Sequence, residues 1–109
     1  MKLVNCDVGG EIVKQDERYT VKDNKELKNL VVSSTRLHRG MSTSGHSHAG
    51  QEEVYNFIWG TGHMELDGER FAVNPGDIVL IKDGVHHRVF NTGAVDLYFV
   101  CVFDGKRNH

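Results

Sequence analysis

Apolar and polar residues alternate with a period of two through most of this chain. The alternation is clearest over residues 30–37, 54–59, 64–66, 71–73, 78–81, 87–90 and 97–103. Period two places successive side chains on opposite faces of an extended backbone, so each run predicts a β-strand with one face turned to a core. Valine, isoleucine, tyrosine and phenylalanine fill these runs, and glycine, asparagine and aspartate separate them. Many short strands punctuated in this way predict an all-β sandwich or barrel. Leu66-Asp67-Gly68-Glu69 is a hairpin signal, because Asp-Gly accepts the positive φ values of a two-residue turn between twisted strands. Asn74-Pro75-Gly76-Asp77 marks a second turn. Residues 2–20 are expected to form one or two further strands. The polar stretch 21–29, VKDNKELKN, is expected to be a loop or a single helical turn, and residues 105–109 to fray.

The 109 residues suffice for one domain, expected to span 1–109. With 39% hydrophobic and 26% charged residues and a net charge of −2, the chain offers no electrostatic basin for nucleic acid. The opening MKLVNCDVGGEIV lacks the unbroken apolar run and cleavage site of an export signal, and no stretch approaches the ~20 apolar residues of a membrane span. A cytoplasmic location is the expectation. Cys6 and Cys101 are then expected to be thiols rather than a disulfide.

Chemistry concentrates in one short stretch, where His46, His48 and Glu53 fall within eight residues. On an extended strand, His-x-His projects both imidazoles from one face, whereas a helix would turn them about 200° apart. Gly45 before the pair and Ala49-Gly50 after it also oppose a helix. Two imidazoles and a carboxylate suit a borderline divalent metal better than calcium or magnesium.

Glycines around this cluster complete a recognisable frame. Gly40, His46, His48, Glu53 and Gly60 stand in the order G-x5-H-x-H-x4-E-x6-G, and Gly76, Gly84, His87 and Asn91 follow as G-x5-K-x-G-x2-H-x3-N. These two segments, 40–60 and 76–91, resemble the two motifs of the cupin family, with Lys82 where the second motif usually has proline. The resemblance implies a double-stranded β-helix, or jelly roll, and one divalent transition metal (Fe, Mn, Ni, Zn or Co) held by His46, His48, Glu53 and His87. It also implies a homodimer in which terminal strands add to a partner.

Strand parity extends the picture. If Glu53 points inward, Tyr55, Phe57 and Trp59 do so as well. His87 fits the second motif and His86 does not, so His87 is the expected ligand, with His86 the alternative if the register slips by one. Three imidazoles and one carboxylate leave open positions on a six-coordinate ion, as a catalytic metal requires; a closed structural site is the alternative. Tyr55 and His63 are the candidate acid/base residues, and Tyr98 is a further phenol. Arg36 and His38 are candidates to meet a substrate carboxylate or phosphate. Arg88 is expected on the outer face, and Asn91 to close a strand end. The resemblance implies a small anionic or oxygen-rich substrate and, first, a sugar or sugar-phosphate isomerase. An iron-dependent dioxygenase and a ligand-binding module without chemistry are the alternatives.

Overall fold

In a computed structural model, the described residues, 1–47 and 49–105, form nine strands and no helix. The strands are β1 (Glu11–Gln15), β2 (Tyr19–Asn24), β3 (Leu30–Leu37), β4 (Glu53–Trp59), β5 (Gly62–Leu66), β6 (Glu69–Val73), β7 (Ile78–Ile81), β8 (His87–Phe90) and β9 (Leu97–Asp104). They make a six-stranded sheet ordered β1-β2-β3-β9-β4-β7 and a three-stranded sheet ordered β6-β5-β8. Every pairing is antiparallel. This is the all-β jelly roll that the alternating pattern and the two motifs anticipate.

The core lies between the sheets because their alternate positions point at each other. Leu37, Phe57, Phe99 and Phe103 from the large sheet and Met64, Val73 and Val89 from the small one are almost fully buried. Tyr55, Phe57 and Phe99 form a chain of ring contacts with centroids 5.2–6.2 Å apart. Burying each such ring contributes about 1.5–3 kcal/mol.

Both predicted turns are present. Asp67 and Gly68 have φ of 48° and 84°, the two positive values a type I′ turn needs, and Leu66 pairs with Glu69 to close the hairpin. In Asn74-Pro75-Gly76-Asp77 the Asp77 amide donates to the Asn74 carbonyl at 3.0 Å, and Gly76 has φ of 93°, as a type II turn requires at its third residue.

Two expectations are corrected. Residues 21–24, expected in a loop, belong to strand β2 (Tyr19–Asn24): Tyr19, Val21 and Asp23 face inward, and Asp23 is buried despite its charge. Asn24, also buried, donates to the Val8 carbonyl at 2.7 Å and accepts from the Glu26 amide. Polar side chains that are satisfied inside a fold hide a strand from any hydrophobic pattern. Trp59 is the second. The β4–β9 register runs Phe57↔Phe99 and then Trp59↔Tyr98, so Ile58 is an extra residue and the strand bulges. A bulge shifts parity by one, and Trp59 lands on the outer face, stacked on Tyr98 at 4.4 Å.

Candidate metal centre

Three of the expected ligands converge. Nitrogen or carboxylate oxygen atoms of His46, Glu53 and His87 all lie within 4.8 Å of one another. Each comes from a different part of the fold. Glu53 opens β4 in the large sheet, paired with Ile81 and Phe103. His87 opens β8 in the small sheet, opposite Leu66. His46 lies in the connection between β3 and β4 and joins β8 through an antiparallel bridge, its amide donating to the His87 carbonyl at 3.2 Å and its carbonyl accepting from the His87 amide at 2.9 Å. Directly paired residues project side chains to one face, so this bridge brings the two imidazoles together with ring centroids 4.4 Å apart.

The site is anchored from outside as well. The Asp67 carboxylate accepts from the His86 amide at 2.9 Å, and the Asp67 amide donates to the His86 carbonyl at 2.8 Å. The hairpin tip thus clamps the backbone immediately before His87.

The donor chemistry fits a divalent ion. Nδ1 of His46 contacts the Ser44 carbonyl at 3.0 Å, and Nδ1 of His87 contacts the Val85 carbonyl at 3.2 Å. A carbonyl only accepts, so in both rings Nδ1 carries the proton and Nε2 presents its lone pair to the cluster. Glu53 adds a carboxylate that is 3% exposed, with Oε1 3.5 Å from His87 Nε2. A buried carboxylate between two imidazoles is costly unless a positive charge sits with it, and a metal ion supplies one. His48, the remaining expected ligand, lies outside the described residues.

A cavity of about 510 Å³ leads from the surface to His46. Tyr55, Phe99 and Cys101 line its apolar side, and Thr35, Thr43, Ser44, Lys14 and Arg18 bring hydroxyls and two cations to its wall. Tyr55 is buried, its ring 5.8 Å from that of His87, so this candidate acid/base residue does adjoin the cluster. Arg18 spans the β1–β2 turn to the ligand loop: its guanidinium binds the Asp16 carboxylate at 2.8 Å, donates to Ser44 Oγ at 2.9 Å and covers the Tyr19 ring. That pairing holds the Asp16 carboxyl below its ordinary range and raises Arg18, the hydrogen bond between them being the largest cause in each case.

Other expected residues sit elsewhere. His63 faces away from the core on β5, with Nδ1 2.8 Å from Thr92 Oγ1. Its inward alternation partners are Gly62 and Met64, so parity excludes it from the cavity and the acid/base expectation for it is withdrawn. Tyr98 is on the outer face and donates to the Cys6 carbonyl at 2.6 Å. Arg36 and His38 both contact Asp96, at 3.6 and 3.2 Å, outside the barrel. His86 is exposed, while His87 is 1% exposed and lies in the cluster. Arg88 binds the Thr43 carbonyl and Ser42 on the outside, and Asn91 bonds the Leu37 and Val95 carbonyls at the strand end, both as expected. Both cysteines are thiols, Cys6 exposed and Cys101 buried. No motif or spacing points to Lys14, Arg18 or Ser44: they are ordinary polar residues until the β1–β2 hairpin folds over the ligand loop.

Comparison with known proteins agrees with this geometry. The cupin domain family matches residues 34–103. The chain is a cupin. This cupin is 39% identical over 62 residues to an uncharacterized protein of Methanocaldococcus jannaschii, a match covering 57% of the chain and 50% of that protein, so it spans half the length of that relative. It is 30% identical over 81 residues to an oxalate-binding protein of Thermotoga maritima, covering 74% of the chain and 67% of that protein. A glucose-6-phosphate isomerase of Thermococcus kodakarensis is 28% identical over 116 residues, covering 91% of the chain and 61% of that protein. Among solved structures, KdgF from Halomonas sp. superposes with a TM-score of 0.79 at 18% identity, covering 90% of this chain and 88% of that one, which is a likeness of fold. No helix among the described residues is long and apolar enough to cross a membrane.

Proposed function

We propose that this cupin is a metal-dependent enzyme acting on a small oxygen-rich anion, and that its reaction is aldose–ketose isomerisation of a sugar or sugar phosphate. One observation carries the reading: the cavity that ends at His46 is walled by hydroxyls of Thr35, Thr43 and Ser44, by the cation Lys14 and by the Arg18–Asp16 ion pair. Hydroxyls match a polyol, and a guanidinium is the group best shaped to hold a carboxylate or phosphate. The ligand set is His46, Glu53 and His87, with His48 proposed as the fourth member. The ion is one divalent transition metal from the set Fe, Mn, Ni, Zn and Co, among which this donor set discriminates poorly. Such an ion, when bound, polarises a carbonyl and its neighbouring hydroxyl.

The protein's own groups do the rest. Lys14, with the Asp16-paired Arg18 beside it, holds the anionic end at the cavity wall, and the threonine hydroxyls orient the chain of the substrate. Tyr55, which lines the cavity, would as a phenolate take the proton from C2 and return it at C1 while the hydroxyl proton passes from O2 to O1, so that the carbonyl and hydroxyl exchange places without net oxidation. The dioxygenase alternative loses support because Trp59, whose ring was expected to add to an apolar wall, is outside. Binding of a small carboxylate without chemistry remains a second reading, favoured by the name of the Thermotoga maritima relative.

Protein loaded in turn with Mn(II), Co(II), Zn(II), Ni(II) and, without air, Fe(II) would be incubated with a panel of aldoses and their phosphates in deuterated water. Metal-dependent deuterium incorporation at C1 or C2 supports isomerisation. Substrate-dependent oxygen uptake with Fe(II) and no exchange would replace it with the dioxygenase. Saturable binding of small carboxylates with neither activity would replace it with the binding module.

A further inference from the structure

Four polar side chains make a square on the outer face of β2 and β3. The register sets Thr20 opposite Arg36 and Lys22 opposite Ser34, so the two cations occupy one diagonal and the two hydroxyls the other. Residues on such a diagonal lie about 7–8 Å apart, close enough for long side chains to meet one ligand. Asn5 and Asp7 of the N-terminal segment, with Trp59 and Tyr98, close the square into a notch of about 330 Å³. Val21 and Thr35, between these residues in sequence, belong to the opposite face and line the cavity that leads to His46. The two hollows therefore stand back to back on the same two strands.

Two groups in the notch have bonding capacity that the protein does not use. Ser34 is 3% exposed and lines the notch, yet its hydroxyl makes no hydrogen bond among the described residues. Most buried polar side chains find a partner, and one that does not leaves a place for a ligand atom. Arg36 carries five N–H donors, and none of them makes a hydrogen bond among the described residues. Asp96 stands 3.6 Å away, and the guanidinium is held instead against the rings of Trp59 and Tyr98, at 4.9 and 5.4 Å from their centroids. The β4 bulge puts Trp59 there, and bulges recur where a side chain is re-aimed at a functional surface. A guanidinium fixed in place with its donors open is preorganised for an oxyanion.

We infer that this notch is a second ligand site, which binds a small phosphate monoester separately from the metal centre. Lys22 and Arg36 meet the charge of the phosphate, and Ser34 donates to it from the floor. Thr20, whose oxygen already accepts from Gln15 at 3.1 Å, has its hydroxyl proton to donate as well. Asp7 selects the rest of the ligand. Its carboxylate lies 3.5 Å from Lys22, is oriented by the Gly9 amide at 2.8 Å, and lines the notch with Asn5. A carboxylate repels a second anionic group but accepts from hydroxyls, so the body of the ester is neutral and hydroxylated. The notch is at the small end of ligand pockets, which suits a body of about three to six carbons. Nothing in this site depends on the reaction at the metal.

Trp59 is the chain's one tryptophan and lines the notch, so its fluorescence reports occupancy there. The whole protein would be titrated with glycerol 3-phosphate, inorganic phosphate, malonate and glycerol. Glycerol 3-phosphate is expected to give a saturable change with a Kd below about 1 mM, and inorganic phosphate to bind about 5-fold more weakly. Malonate and glycerol should give no saturable change. Arg36→Gln should weaken binding of the ester by about 10-fold or more and Ser34→Ala by about 5-fold, both with wild-type circular dichroism and Co(II) binding. Lys14→Gln, in the other cavity, should leave the titration as it is. No saturable change up to about 20 mM ester would overturn the inference, since a preorganised site binds more tightly than that. So would binding that persists undiminished in both Arg36→Gln and Ser34→Ala, or binding lost in Lys14→Gln. Malonate bound as tightly as the ester would overturn the assignment of the ligand as a phosphate.

Discussion

Replacing His87 by alanine, with His86→Ala alongside, separates two adjacent histidines by parity alone. His87 is 1% exposed and lies between Glu53, the His46 ring and the Tyr55 ring; His86 is exposed. Losing a buried ring of this size leaves a cavity that costs the metal-free fold about 2–4 kcal/mol, whereas a surface truncation costs within about 0.5 kcal/mol. The larger signal is linkage. A metal held at 1,000 times its dissociation constant stabilises the wild type by about 4.1 kcal/mol. For 109 residues the unfolding entropy is about 0.23 kcal/mol/K, so that stabilisation raises Tm by about 18 °C. Loss of even a neighbour of a metal ligand weakens affinity 10- to 100-fold, so loss of a ligand should weaken it by about 100-fold or more. At the same metal concentration His87→Ala would then retain about 1.4 kcal/mol, or about 6 °C. Differential scanning calorimetry with and without Mn(II) or Co(II), paired with equilibrium dialysis, measures both terms. A full metal-induced shift in His87→Ala, or equal losses from the two variants, would refute the parity argument and the site built on it.

Further outcomes follow from the same contacts. Arg18→Ala removes the bond to Ser44, whose carbonyl orients His46, so Co(II) affinity should fall about 10-fold in a spectroscopic titration while Arg18→Lys restores part of it. The Asp16 carboxyl is held below 3.8 by Arg18, so its clasp is complete above that value and opens only as pH falls through the depressed pKa; carboxyl NMR shifts through an acid titration should place the Asp16 midpoint below 3.8, and Arg18→Ala should raise it. Phe57→Ala empties a position that is 0% exposed between Tyr55 and Phe99, and should cost about 3–5 kcal/mol in urea unfolding. A thiol reagent should label Cys6 promptly and Cys101 slowly, because Cys101 is 4% exposed; rapid double labelling would contradict the packing around the cavity.

The sequence by itself determined the strands whose alternation is regular, since period two reports directly which face is buried. β3, β7 and β8 carry the predicted bounds, and the Asp67-Gly68 turn follows from the positive φ values those residues tolerate. The resemblance of its two motifs also named His46, Glu53 and His87 as candidate donors, and the fold brings these three within 4.8 Å of one another. Tertiary structure decided the rest. β2 was hidden because Asp23 and Asn24 are polar yet buried, and only their partners elsewhere in the fold make that tolerable. Trp59 changed faces because one extra residue in a strand is registered against its neighbour and leaves no mark in the pattern. Lys14 and Arg18 reached the cavity through a hairpin that folds over residues some 26 positions away, as the Arg18–Ser44 bond shows, and Lys22, Ser34 and Arg36 met only when β2 and β3 lay side by side. Alternation encodes burial one residue at a time. Which distant residues share a wall is set by strand order, which no local pattern carries.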